Sequence, residues 1–113
     1  MSNDVSPTSS LNIAANVIAV LDSELRLKII LELSKQPHAV HELVSKLNKS
    51  QPLVSQHLRV LKRGGIVTCS RNGRQVSYQL AIPEILDLIR MAADIGNRSV
   101  DQEAECLSIG GQD

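Results

Sequence analysis

With 113 residues, 42% of them hydrophobic, the chain has room for one small domain, and the core must be aliphatic because there is one Tyr and neither Phe nor Trp. Such a core is marginal on its own, which points to an oligomer, and the missing aromatics argue against the stacking platforms that hold single-stranded nucleic acid. Twelve basic and twelve acidic side chains cancel, but unevenly: Leu43 to Pro83 contains no Asp or Glu and seven of the basic residues, a polarity suited to a duplex polyanion.

Residues 1–10, mostly Ser, Asn, Pro and Thr, read as a mobile arm. From Leu11 onward Ala14, Val17, Ile18 and Leu21 recur at helical spacing. Asn12 and Asn16 break this stretch and no basic leader precedes it, so neither a membrane span nor export is expected and the protein is read as cytoplasmic. Asp22 or Ser23 can cap a second helix with Leu25, Ile29, Ile30 and Leu33 as its apolar stripe, ended by Pro37. A third helix from about Val40 to Leu47 buries Val40, Leu43, Val44 and Leu47.

Ser50 stands where an N-cap belongs, Pro52 falls in the first turn, where its missing N–H costs nothing, and Gly64-Gly65 supplies a left-handed end. The fourth helix is therefore Gln51 to Arg63. Turning Val54, Leu58 and Leu61 inward turns Pro52, Ser55, Gln56, Arg59 and Arg63 outward. After Gly65 the period changes to two, with Val67 and Cys69 inward on one strand and Val76, Tyr78 and Leu80 inward on the next. Asn72-Gly73 between them predicts a type I′ turn flanked by Arg71 and Arg74. A basic hairpin following a basic helix is a wing beside a recognition helix.

Pro83 opens a last helix, with Glu84 and Asp87 where negative charge suits the dipole. It is apolar around much of its circumference, which makes it the candidate subunit interface, paired with the first helix: Val17, Ile18, Ile85, Leu88, Ile89 and Ala92. Residues 11–96 thus form one domain, and residues 97–113 an acidic, flexible tail.

The order of four helices, hairpin and helix, together with Ser50-Gln51-Pro52-Leu53-Val54-Ser55-Gln56-His57-Leu58-Arg59-Val60-Leu61 and Gly64-Gly65-Ile66-Val67, closely resembles the arsenic-repressor (ArsR) family of bacterial winged helix-turn-helix regulators. Arg26-Leu27, Glu42-Leu43, and Gly73-Arg74 with Tyr78 also match, and the resemblance covers roughly residues 11 to 96. It implies a homodimer, built on the first and last helices, that docks one recognition helix per subunit in successive major grooves of operator DNA and lets go when an inducer binds. The fold class is mainly α with a small β-hairpin.

Gln51, Ser55, Gln56 and Arg59, with Pro52 beside them, are positioned to read base edges, since Gln pairs bidentately with adenine and Arg with guanine. Lys46, Lys49, Lys62 and Arg63 suit phosphates, which position a protein without specifying sequence. Arg71 and Arg74 suit a minor groove or the backbone. Tyr78 is read as core, and Cys69 as a small buried hydrophobe.

His38 and His41 beside Glu42 resemble a zinc site in outline, but a zinc hydrolase would carry the Glu between the two ligands. The family's metal box on the third helix uses two cysteines where this chain has Ala39 and His41. Its other site, on the last helix, falls on Ile82, Glu84, Ile95 and Arg98, of which only Glu84 can coordinate. The remaining candidate ligands for zinc are His38, His41, Glu84 and Cys106, with Asp94, Asp101, Glu103 and Glu105 nearby in the sequence. The cysteines are spaced neither as a disulfide framework nor as a zinc knuckle, and the acidic surroundings of Cys106 raise its pKa. Alternative readings are a regulator answering to thiol chemistry or a small molecule, and a helix-turn-helix module that binds protein rather than DNA. An enzyme is not expected: there is no Gly-rich phosphate loop, nucleophile motif or paired carboxylates in a pocket-forming segment.

Overall fold

Caps and glycines punctuate the chain into α1 (Pro7–Leu21), α2 (Glu24–Lys35), α3 (Val40–Leu47), α4 (Gln51–Arg63), β1 (Val67–Asn72), β2 (Gln75–Leu80) and α5 (Ile85–Ser108) in the computed structural model. The structure describes residues 7–108, with side chains over 9–100. The chain divides into two compact units, Met1–Ile82 and Pro83–Asp113.

In the first unit, Ser23 caps α2 by accepting the Arg26 N–H at 3.2 Å, which decides between the two candidate caps. Helix α3 has half a capping box: the Glu42 carboxylate accepts the Ala39 N–H at 2.8 Å, while Ala39 has no side-chain oxygen to return the bond. It ends on Asn48 in the left-handed region, φ 55°, a conformation that Asn tolerates better than most residues. Asn48, Lys49 and Ser50 then make a tight turn into α4, whose cap Ser50 accepts the Leu53 N–H at 3.4 Å. Helix, short turn and helix form a helix-turn-helix.

Val54, Leu58 and Leu61 bury the inner stripe of α4 against a core completed by Ile29, Ile30 and Leu33 of α2, Leu43 of α3, and Ile66 and Val67. The α3 and α4 spans and this inward triad agree with the spacing in the sequence. Ile66 departs from it: the two-residue period that turns Val67 and Cys69 inward would turn it outward, yet it is 2% exposed, because it precedes the strand and is tied to both neighbours by its N–H to Leu61 O and its C=O to Ala81 N.

The hairpin is antiparallel, with Val67 opposite Leu80, Cys69 opposite Tyr78, and Asn72 opposite Gln75. That register makes Gly73 and Arg74 the two loop residues, and Gly73 alone of them has a positive φ, 69°. The turn is therefore of the type II′ pattern, glycine first, rather than the expected type I′ on Asn72-Gly73. A loop on Asn72-Gly73 would have set Arg71 directly opposite Arg74, and like charges across a ladder repel. Cys69 and Tyr78 are half-buried rather than enclosed. His38 adds a bridge to the outer side of β2, exchanging hydrogen bonds with Tyr78 at 3.0 and 2.8 Å.

Helix α1 starts at Pro7, inside the segment expected as an arm, and α5 runs to Ser108, through most of the expected tail; the remainders, 1–6 and 109–113, lie outside the described residues. In the second unit, α5 begins two residues after Pro83, and the carbonyls of Pro83 and Glu84 accept its first N–H bonds. Ile85, expected at the subunit interface, is 5% exposed in a single copy of the chain. Leu88, Met91, Ile95 and Val100 are exposed along α5, as are Leu11, Ile13 and Ile18 along α1. No helix among the described residues is long and apolar enough to cross a membrane.

Candidate nucleic-acid interface

Burying Val54, Leu58 and Leu61 sets the rotation of α4, and with it what the helix presents. Gln51, Pro52, Gln56 and Arg59 are exposed, and Ser55 is half-buried at the edge of the same face. Lys46 and Lys49 stand exposed at the end of α3 and in the turn, Lys62 and Arg63 at the end of α4, and Arg71 and Arg74 around the hairpin tip. A groove of about 260 Å³, lined by Ala39, Val40, His41, Gln51, Arg74, Gln75 and Val76, lies between the starts of α3 and α4 and the wing tip.

The electrostatics of this surface follow from what is missing. Ion pairs among the described residues join Glu24 to Lys28, Glu32 to Lys35 and Asp87 to Arg90, all outside the acid-free segment. Lys46, Lys49, Arg59, Lys62, Arg63, Arg71 and Arg74 thus have no acidic partner among the described residues. Cations without internal partners release counterions when they meet phosphates, which is the main source of affinity for DNA.

One member of α4 escaped the sequence reading. His57, between outward Gln56 and buried Leu58, has its Nδ1 3.0 Å from the Arg26 guanidinium. A guanidinium only donates, so Nδ1 accepts, and the ring is neutral with its proton on Nε2. Burial, and then the Arg26 charge, hold the His57 pKa below its ordinary value. The partners lie 31 residues apart, and a single sequence carries no signal of their contact.

The zinc set is not assembled by the described residues. His38 is 2% exposed, facing inward beside Tyr78, with neither ring nitrogen hydrogen-bonded among them, while His41 and Glu84 are exposed. The Cys106, Asp101, Glu103 and Glu105 side chains lie outside the described residues, and among those described no three His, Cys, Asp or Glu side chains come together as metal ligands. The strand-like bridge at His38 is the reason: it commits the residue next to α3 to the sheet and turns its ring into the core.

A helix-turn-helix followed by a two-stranded wing, with an acid-free cationic surface across both, defines a winged helix-turn-helix protein. The family model described as "Bacterial regulatory protein, arsR family" matches residues 23–68, from the cap of α2 into β1. Over 75 residues the chain is 45% identical to the HTH-type transcriptional repressor SmtB of Mycobacterium tuberculosis, covering 66% of this chain and 56% of that protein. Over 95 residues it is 35% identical to the arsenical resistance operon repressor of Staphylococcus xylosus, covering 84% and 89%. The crystal structure of the transcriptional repressor BigR from Xylella fastidiosa matches with a TM-score of 0.69 at 29% identity, over 83% of this chain and 96% of that one. The chain belongs to the arsR family of bacterial regulatory proteins. It spans little more than half the length of the mycobacterial repressor.

Proposed function

We propose that this protein is a homodimeric transcriptional repressor that binds double-stranded operator DNA in a sequence-specific way. The observation that carries this reading is the surface shared by the end of α3, the turn after it, α4 and the wing, where seven cations stand without an acidic partner among the described residues. Gln51, Ser55, Gln56 and Arg59, flanked by Pro52, read base edges in the major groove. Lys46, Lys49, Lys62 and Arg63 hold phosphates, and Arg71 and Arg74 at the wing reach the neighbouring backbone or minor groove. The apolar sides of α1, with half-buried Val17 and exposed Ile18, and of α5, with exposed Leu88 and Ala92 and half-buried Ile89, pair with a second copy. The repressors named above are the support for repression as the direction of control.

An electrophoretic shift on the DNA upstream of the protein's own gene, against random DNA, tests the reading. Arg59→Ala should weaken operator binding by about 1–3 kcal/mol, the range for a lost bidentate base contact, with little change on random DNA. Lys62→Ala should weaken both alike and reduce the salt dependence by the share of one phosphate. Equal affinity of the wild type for both DNAs would sink sequence-specific repression.

A further inference from the structure

We propose that Arg26 is a positioning residue for DNA reading, fastening the recognition helix to the end of α1 through His57. The inference rests on the DNA-binding and dimer assignments above. Its geometry is independent of them.

Arg26 sits in the first turn of α2, its backbone N–H held by the Ser23 cap. From there the guanidinium reaches two other helices. Its Nε donates to Val20 O at 2.6 Å and its Nη2 to Ala19 O at 3.3 Å, both carbonyls in the last turn of α1. These belong to the helix end whose carbonyls lack partners within the helix, and a cation there also suits the dipole. Its Nη1 faces His57 Nδ1 on α4. Three donors of one rigid planar fork thus fix the end of α1 and the middle of α4 to the start of α2, an arrangement that the point charge of a lysine cannot reproduce.

A second contact joins the same two helices further along. A Cβ built on Gly64, at the C-cap of α4, would stand 3.0 Å from Val20 Cγ2, so the ends of α1 and α4 meet at the glycine backbone. Helix α4 is therefore held to α1 at its middle and at its end. Because α1 carries apolar surface assigned to the dimer, this fastening sets the angle of each recognition helix in the dimer's frame. Two half-sites lie a fixed helical turn apart, so that angle decides whether both helices enter their grooves together.

The link works with a neutral imidazole. A protonated ring offers no lone pair to the guanidinium and sets a second positive charge beside it. Arg26 of α2 is the charged group that acts on His57 among the described residues; α3 and β1, which also pack on α4, bring none to it, and the end of α1 brings carbonyls. Operator reading should then weaken in acid, when His57 takes up a proton.

The full-length chain and its Arg26→Ala, Arg26→Lys, His57→Asn and His57→Leu variants would be titrated against operator and random DNA at about pH 7.5 and about pH 5.5, with dimer content measured by sedimentation. Asn places an amide oxygen where Nδ1 stands and does not titrate. At the higher pH, Arg26→Ala should lose operator affinity by about tenfold, the scale of one hydrogen bond to a charged group, with random-DNA affinity and dimer content held. Arg26→Lys should recover only part of that loss. His57→Asn should match the wild type at the higher pH and lack its acid loss of operator preference, whereas His57→Leu should lose preference at both. If Arg26→Ala does not fold, the two His57 variants decide the matter.

Wild-type operator preference in both Arg26→Ala and His57→Leu overturns the proposal, as does an acid loss in His57→Asn equal to that of the wild type. A wild type with no operator preference at all overturns the DNA assignment instead.

Discussion

His57 illustrates how one side chain on the proposed reading helix answers to the fold rather than to the ligand. Its pKa is lowered by burial and then by the Arg26 charge, so the folded state disfavours the protonated ring while the unfolded chain accepts a proton near the ordinary value of 6.5. Above that value both states are neutral and the fold has its full stability. As the pH falls below it, the unfolded state binds more protons and stability declines through the lowered folded value. Urea unfolding followed from about pH 8 to about pH 5 should therefore show a falling midpoint in the wild type and a flatter one in His57→Asn. A midpoint equally steep in both would assign the acid sensitivity to other groups. Arg59, by contrast, is exposed and has no acidic partner among the described residues, and its substitution is expected to change affinity while leaving stability alone.

Helix α4, the proposed recognition helix, is delimited by backbone chemistry at both ends. Ser50 and Pro52 start it, and Gly64 and Gly65 stop it by different means. Gly65 has φ +79° and nothing within 4 Å of an added Cβ, so its requirement is purely conformational. Gly65→Ala should cost about 1–2 kcal/mol, the penalty of a left-handed L-residue, visible as a lower urea midpoint with an unchanged slope. A neutral substitution would mean that the chain leaves α4 by another route. Gly64 adopts an ordinary φ of −80° and is needed for the approach of Val20 instead. The hairpin is likewise a product of pairing: Asn72-Gly73 marks the turn's location, but the ladder moves the loop one residue on and leaves Arg74 at the tip.

For the molecule as a whole, the division at Ile82 and Pro83 separates the unit that carries the proposed reading surface from the helix that carries much of the proposed dimer surface. Ending the chain after Ile82 removes α5 with its exposed Leu88, Met91 and Ile95. The shortened protein should be monomeric by sedimentation and should lose operator preference together with the dimer, because a single half-site lacks the effective concentration that links two. A truncated chain that remained dimeric would confine the interface to α1. One that bound the operator tightly as a monomer would remove the need for a dimer.

The sequence alone determined the order of elements, the spans of α3 and α4, the inward triad Val54, Leu58 and Leu61, and the acid-free stretch from Leu43 to Pro83. Those signals are local: a cap, a proline or a glycine acts within a turn, and helical or strand periodicity reports which face is dry. The cationic surface was legible for the same reason, since the spacing that buries three aliphatic residues exposes the rest of the helix. Only the tertiary structure decided that Arg26 meets His57, that His38 joins the sheet at Tyr78 rather than standing ready beside His41, and that Val20 rests on Gly64. Each is a meeting of residues far apart in the chain, or a burial set by such meetings. Their partners are chosen by how finished helices and strands pack, and packing leaves no period in a single sequence to read.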